Sequence, residues 1–164
     1  MPSASLQSIH EFLDVARIAI AGASRSAADY SRLVMKEFQR CGYTVIPVNP
    51  AASEIGGERC YARITEIDPK PDAVVLLVPD KQIVEATQQC IQAGIRHVWF
   101  RRPQNESSAY HDAIGDARAA KMNVVAGECP IMFLPGTSWI HRAHRFLRKT
   151  AGTYPVLEPT PRQQ

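Results

Sequence analysis

Short apolar segments alternate with amphipathic segments between residues 17 and 126, and polar or glycine-containing turns separate them. The apolar segments have the length and composition of buried strands, at 17–21, 44–48, 73–78, 97–100 and 123–126. Apolar residues at helical spacing predict helices at about 31–40, 80–92 and 107–120. A shorter helix precedes the first strand, and Ser8 and Glu11 in it have the spacing of a capping box.

This alternation of strands and helices predicts an α/β fold with a parallel sheet covered on both faces. We expect a Rossmann-like doubly wound sheet of about five strands, in three layers, with strand order 3-2-1-4-5. The segment 73–78 is apolar on both faces, as a central parallel strand is. After residue 126 the pattern predicts a loop, a short apolar segment and an extra C-terminal helix to Lys149. One domain over 1–150 and an extended tail over 151–164 are expected.

Composition narrows the functional classes. Of 164 residues, 45% are hydrophobic and 21% charged, which is typical of a folded domain and argues against a disordered chain. The net charge of +3 is too small to indicate a nucleic-acid-binding protein. The longest apolar run, 73–79, is far shorter than the ~20 residues of a membrane-spanning helix. The N-terminus lacks a secretory pattern and the cysteines lack metal or disulfide spacing, so we interpret the protein as cytoplasmic.

Ligands of open α/β sheets bind beyond the carboxyl ends of the strands, so the residues that follow the five strands are the candidate site. They are Gly22, Ala23, Ser24 and Arg25; Pro47, Val48, Asn49 and Pro50; Val78 and Pro79; Arg101 and Arg102; Cys129 and Pro130. A glycine directly after a strand lets backbone amides approach a phosphate, and an arginine can bind a phosphate through two hydrogen bonds. The alternative is that Gly22 only permits tight packing of strand and helix.

A nicotinamide cofactor fits these residues less well. Gly22 is a single glycine where the dinucleotide fingerprint has three, and Asn49 follows the second strand where that fingerprint has an acidic residue. An NAD(P)-binding oxidoreductase or redox sensor of the Rossmann type remains the alternative hypothesis, and these two departures make it the weaker one.

Several strand-end segments, taken together in order, carry a resemblance to a known family. They are 18–24 (IAIAGAS), 42–50 (GYTVIPVNP), 74–79 (VVLLVP), 94–99 (GIRHVW) and 129–130 (CP). The chain resembles the single-domain CoA-binding proteins, which are similar to the CoA-binding domain of the succinyl-CoA synthetase α subunit. The resemblance covers about residues 15 to 135.

The resemblance implies that coenzyme A, or an acyl-CoA, binds at the strand ends. Gly22, Ala23 and Ser24 would lie under its phosphates, and Asn49 and Pro50 would flank its adenosine end. By the same resemblance, Val78 and Pro79 would line the ligand's path, and Cys129 and Pro130 would stand near its pantetheine end.

The chain departs from the family in three ways. No lysine follows Asn49-Pro50, Ile131 stands where a glycine follows Cys-Pro, and the synthetase's phosphohistidine segment is absent. Arg25, Arg101 and Arg102 are our candidates for the missing positive charge. The resemblance thus implies a small-molecule binding protein with a non-catalytic or regulatory role, and it does not imply ligase activity.

For several other residues a structural role is an alternative to a functional one. Cys129 could be a nucleophile or a redox partner of the CoA thiol, but Glu128 beside it disfavours a thiolate, and packing or ligand contact is the simpler role. His141 and His144 are too few for a zinc site. The basic C-terminal helix could bind a protein partner or mediate self-association, or it could dock on its own core.

Two experimental expectations follow from the sequence. Replacing Gly22 with a bulky residue should abolish ligand binding and leave the fold largely intact. Replacing Arg25 with alanine should weaken CoA binding more than dephospho-CoA binding.

Overall fold

Five parallel strands form the central sheet in the computed structural model, which describes residues 4–103 and 106–136. The strands of this sheet are β1 (Arg17–Ala21), β2 (Thr44–Val48), β5 (Ala73–Leu76), β6 (His97–Phe100) and β7 (Asn123–Ala126). Two shorter strands, β3 (Glu54–Ile55) and β4 (Glu58–Arg59), form a separate antiparallel hairpin. The predicted C-terminal helix, the end of the domain near residue 150 and the tail lie outside the described residues.

The helices are α1 (Leu6–Leu13), α2 (Tyr30–Arg40), α3 (Ile83–Gln92) and α4 (Ser108–Ala119). Single 3₁₀ turns occupy Ile64–Glu66, Asp80–Gln82 and Pro130–Phe133. All the strands and helices predicted within the described residues are present, but two helix starts differ from the prediction. The Ser5 hydroxyl, and not a Ser8–Glu11 box, caps α1 by accepting a hydrogen bond from the Ser8 amide at 3.0 Å. The helix predicted to begin at Asp80 starts as a 3₁₀ turn.

The strand order is β2-β1-β5-β6-β7, or 2-1-3-4-5 among the five long strands. The expected order 3-2-1-4-5 is therefore wrong. That order would place Ala73–Leu76 at an edge of the sheet, although all four of its residues are buried. The chain instead crosses back after the β3–β4 hairpin and pairs β5 with the free side of β1. The strand order now reverses between β1 and β5, as in flavodoxin-like sheets.

Two apolar layers, one on each face of the sheet, make up the core. Alternate residues of β1 point to opposite faces: Ile18 and Ile20 pack with α1 and α2, whereas Ala19 and Ala21 pack with α3 and α4. The three-layer α/β prediction is confirmed. Among the described residues, no helix is long and apolar enough to span a membrane.

The first helix is fastened to the sheet through aromatic rings. Phe12 and Trp99 are both fully buried, and their rings meet edge to face with centroids 5.1 Å apart. The indole nitrogen of Trp99 donates a hydrogen bond to the Glu128 carbonyl oxygen at 2.8 Å. Trp99 thus joins α1 to the loop that follows β7.

We predict that Phe12→Ala lowers the free energy of unfolding by about 3–5 kcal/mol, because it removes a buried ring and opens a cavity beside Trp99. Urea denaturation monitored by Trp fluorescence measures this loss. His10→Ala, on the exposed face of the same helix, is the control and should change stability by less than about 0.5 kcal/mol. Equal losses in the two variants would contradict the packing role of Phe12.

Candidate functional site

The five strands of the sheet end at the same level. Residue pairing runs from Val48 to Ala21, from Ala21 to Leu76, from Leu76 to Phe100 and from Phe100 to Ala126. We call the boundary formed by these five residues the carboxyl edge. Because the strands are parallel and in register, the segments that follow them are brought together there, as the sequence predicted.

Gly22 packs directly against the backbone of the residues that follow β5. Its φ is +87°, and a Cβ atom added to it would lie 2.7 Å from the Leu77 carbonyl carbon and 2.8 Å from the Val78 nitrogen. Any side chain here would collide with backbone that cannot move aside. The expectation that a bulky residue at position 22 leaves the fold largely intact is therefore wrong, since this glycine is required for packing.

The first amides of the β1–α2 loop donate hydrogen bonds within the protein. The Gly22 and Ala23 amides both donate to the Val48 carbonyl oxygen, at 3.0 and 3.3 Å. The Ser24 amide donates to the Ser31 hydroxyl at 2.9 Å. Asn49 closes the same region, since its side-chain amide donates to the Ala23 carbonyl oxygen at 2.7 Å. The amides of Gly22, Ala23 and Ser24 are therefore not free to donate to a phosphate in this conformation.

The amino end of α2 already carries a negative charge. The Asp29 carboxylate accepts hydrogen bonds from the Ser31 hydroxyl at 2.6 Å and the Ser31 amide at 2.8 Å. These two bonds hold the pKa of Asp29 below its usual value, and the nearby Arg101 guanidinium acts in the same direction. A carboxylate thus occupies the end of the helix that favours anions.

Tyr30, at the start of α2, contacts residues that follow two neighbouring strands, β6 and β7. Its hydroxyl lies 3.3 Å from the Cys129 sulfur, and the Arg101 guanidinium lies over its ring at 5.1 Å from the centroid. Burial, followed by the interaction with Cys129, raises the pKa of Tyr30 well above its usual value, so this residue is a neutral phenol. The structure therefore brings together two predicted residues, Arg101 and Cys129, through one that the sequence analysis missed.

Arg32 is a second residue that the sequence analysis missed. Its guanidinium lies 3.5 Å from the Ser24 carbonyl oxygen and 3.4 Å from that of Arg25. A Cβ atom added to Gly56, in the turn between β3 and β4, would lie 2.8 Å from the same guanidinium. Arg32 thus stands between the β1–α2 loop and the β3–β4 turn. The sequence around Arg32 carries no signal that separates it from other arginines on helices.

The remaining candidates differ in their surroundings. Pro47 and Pro130 are buried, Val78 packs partly against the core, and Pro50 and Pro79 are exposed. Arg25 is exposed in the β1–α2 loop. Arg102 is also exposed, and it pairs with Glu106 at 3.4 Å. Its charge is therefore partly balanced by a carboxylate close to the start of α4.

Thiol and metal chemistry can be described for residues 4–103 and 106–136. All four cysteines lie in these ranges and are free thiols; Cys60 and Cys90 are buried, whereas Cys41 and Cys129 are partly exposed. Burial raises the pKa of the Cys90 thiol to about 12. No group of three or more His, Cys, Asp or Glu side chains in these ranges could hold a metal ion.

Comparison with known proteins adds independent observations. A family model described as a CoA binding domain matches residues 16–135. A conserved hypothetical protein from Pyrococcus furiosus is 31% identical, with a TM-score of 0.62 over 70% of this chain and 95% of its own. A hypothetical protein from Pyrococcus horikoshii is 29% identical, with a TM-score of 0.69 over 79% of this chain and 93% of its own.

This chain is also similar to part of a much longer protein, the ADP-forming acetate–CoA ligase of Methanocaldococcus jannaschii. It is 27% identical over 79 residues, which are 48% of this chain and 11% of the ligase. The matched region thus spans about a tenth of that ligase.

We predict that Gly22→Ala is strongly destabilising, whereas Gly42→Ala is mildly so. Both glycines have positive φ, +87° and +89°, so both variants incur about 1–2 kcal/mol of backbone strain. Only the new methyl group at position 22 meets other atoms within 4 Å, and this collision adds about 1–3 kcal/mol. Thermal and urea unfolding of both variants measure the difference. Indistinguishable variants would show that the Gly22 contact has no energetic weight.

Proposed function

Because the chain belongs to the family of CoA-binding domains, we propose that it binds coenzyme A, or an acyl-CoA, at the carboxyl edge of the sheet. The observation that carries the proposal is the family match over residues 16–135. That range contains all five strands of the sheet and every candidate residue that follows them.

The chemistry of the carboxyl edge suits such a ligand. Coenzyme A carries a pyrophosphate, a separate 3′-phosphate on its ribose, and a terminal thiol. Arg25, Arg32 and Arg101 supply positive charge around the β1–α2 loop, and charge-assisted hydrogen bonds to phosphate are among the stronger ones in proteins. Val78, which is partly exposed, and Pro79, which is exposed, offer apolar surface to the adenine and pantetheine groups, whereas Val48 is buried in the core.

The orientation we propose follows the order of the strands. The adenosine end lies beside β2, near Asn49 and Pro50, and the phosphates cross the β1–α2 loop. The thiol end lies toward Cys129 after β7, since this strand is at the opposite end of the sheet from β2.

We propose a non-catalytic or regulatory role, in which the protein delivers, senses or sequesters its ligand. The acetate–CoA ligase similarity supports binding more than turnover, because it covers only 11% of that enzyme. Cys129 is then a ligand contact held by Tyr30, and not a nucleophile.

A nicotinamide cofactor is less well supported by the site. Asn49 occupies the position after β2 where an acidic residue would bind the ribose hydroxyls, and its side chain is committed to the Ala23 carbonyl oxygen.

We predict that coenzyme A raises the Tm of the purified protein, whereas NAD and NADP leave it unchanged. A ligand that binds only the folded state adds about 2.7 kcal/mol of stability at 100 times its Kd. A thermal-shift panel of CoA, acetyl-CoA, dephospho-CoA, NAD and NADP makes the comparison. Stabilisation by NADP without stabilisation by CoA would overturn the proposal in favour of an oxidoreductase.

We further predict that coenzyme A slows alkylation of Cys129 and leaves alkylation of Cys41 unchanged. Both thiols are partly exposed, but only Cys129 lies at the carboxyl edge, so Cys41 is an internal control. Iodoacetamide labelling followed by peptide mass spectrometry gives both rates from one sample. A several-fold slowing at Cys129 is expected under saturating CoA. Equal rates with and without CoA would place the thiol end of the ligand elsewhere.

A further inference from the structure

We infer that Arg32 binds the 3′-phosphate of coenzyme A and thereby gives the protein its preference for CoA over dephospho-CoA. This inference rests on the proposed function and deepens it by assigning one phosphate to one side chain. The sequence analysis assigned this role to Arg25, and the structure favours its neighbour in space.

Arg32 is suited to an anion because its charge is not neutralised by a carboxylate. Among the described residues, the arginines that form ion pairs are Arg40 with Glu37 and Arg102 with Glu106. Arg32 instead makes two long contacts, at 3.4 and 3.5 Å, to loop carbonyl oxygens. Contacts at the upper limit of hydrogen-bond length orient the guanidinium weakly and leave donors available for a phosphate.

Arg101, the other partly engaged arginine of the edge, is in a different situation. Its guanidinium lies over the Tyr30 ring and acts on the Asp29 carboxylate, so part of its charge is already balanced. Arg25 is exposed, and its carbonyl oxygen accepts the contact from Arg32. Of these three cations, Arg32 is the one that two loops enclose.

The β3–β4 turn provides the space for the Arg32 guanidinium. A Cβ atom on Gly56 would lie 2.8 Å from the terminal nitrogen of Arg32, whereas a Cβ atom on Gly57 would meet nothing within 4 Å. The hairpin is also tied to α2, since the Gln39 side chain donates a hydrogen bond to Glu58 at 3.1 Å. The turn and the helix that carries Arg32 are therefore held side by side.

The position of Arg32 favours the 3′-phosphate of coenzyme A over its pyrophosphate as the group that Arg32 binds. The β3–β4 hairpin follows β2, the outermost strand on this side of the sheet, where we place the adenosine end. The 3′-phosphate is attached to the ribose of that adenosine. The pyrophosphate lies toward β1 and β5, where the strand order reverses and where Arg25 and Arg101 are nearer.

Calorimetry with CoA and dephospho-CoA tests the assignment on wild type, Arg32→Gln and Lys36→Gln. Lys36 is the matched control, because it is one helical turn further along α2, exposed and of the same charge. We expect Arg32→Gln to weaken CoA binding about tenfold or more and dephospho-CoA binding less than threefold. Tenfold corresponds to about 1.4 kcal/mol. Lys36→Gln should change both affinities less than twofold.

A second pair of variants tests the position of the guanidinium without removing its charge. Gly56→Ala and Gly57→Ala incur similar backbone strain, since φ is +68° and +83°. Only Gly56→Ala displaces Arg32, so it alone should lower the ratio of CoA to dephospho-CoA affinity. For wild type this ratio should also fall as salt rises from 50 to 500 mM, and for Arg32→Gln it should stay near its low-salt value.

Several results would overturn the assignment. Equal losses for CoA and dephospho-CoA in Arg32→Gln would move Arg32 to the pyrophosphate. A selective loss in Arg25→Gln together with no loss in Arg32→Gln would return the role to Arg25. If the wild-type protein binds neither CoA nor dephospho-CoA, the proposed function itself fails. This failure is distinguishable from the two outcomes above, because it is measured on the wild-type protein and those are measured on variants.

Discussion

The close approach of two backbones, at Gly22 and at Leu77–Val78, is the constraint on which the carboxyl edge depends. It brings the loop after β1 against the end of β5 with no side chain between them. The same residue fixes the loop on its other side, where its amide and that of Ala23 converge on the Val48 carbonyl oxygen. Three adjacent strands are thereby tied together at the point where the ligand is proposed to cross them.

Much of the fold was predictable because its signals are local. The five strands are short and strongly apolar, and glycines such as Gly42 and Gly94 end the helices with positive φ. The order of the strands is not a local property. The apolar pattern of Ala73–Leu76 identified a central strand, yet the expected order placed it at an edge. A strand that is apolar on both faces does not suit an edge position, which argues against the expected order but does not by itself specify the observed one.

The candidate site was predictable to the extent that it follows from the ends of the strands. Family membership confirms the resemblance drawn from those segments. The roles of individual residues could not be predicted in the same way, because hydrogen bonds within the protein decide them. Nothing in the sequence shows that the loop amides are used by Val48 and Ser31. Tyr30 and Arg32 were missed since their roles depend on groups distant in sequence, Cys129 and the turn at Gly56.

The packing of Phe12 on Trp99 ties a helix that precedes the family-matched range to the sheet within that range. The family match starts at residue 16, after α1, so a truncation at that boundary would discard Phe12. The Trp99 indole would then lose its contact with the Phe12 ring, while its nitrogen still donates to the Glu128 carbonyl oxygen next to Cys129. The amino-terminal helix thus supports the residue that holds the loop after β7, although the helix itself lies outside the range that the family model matches.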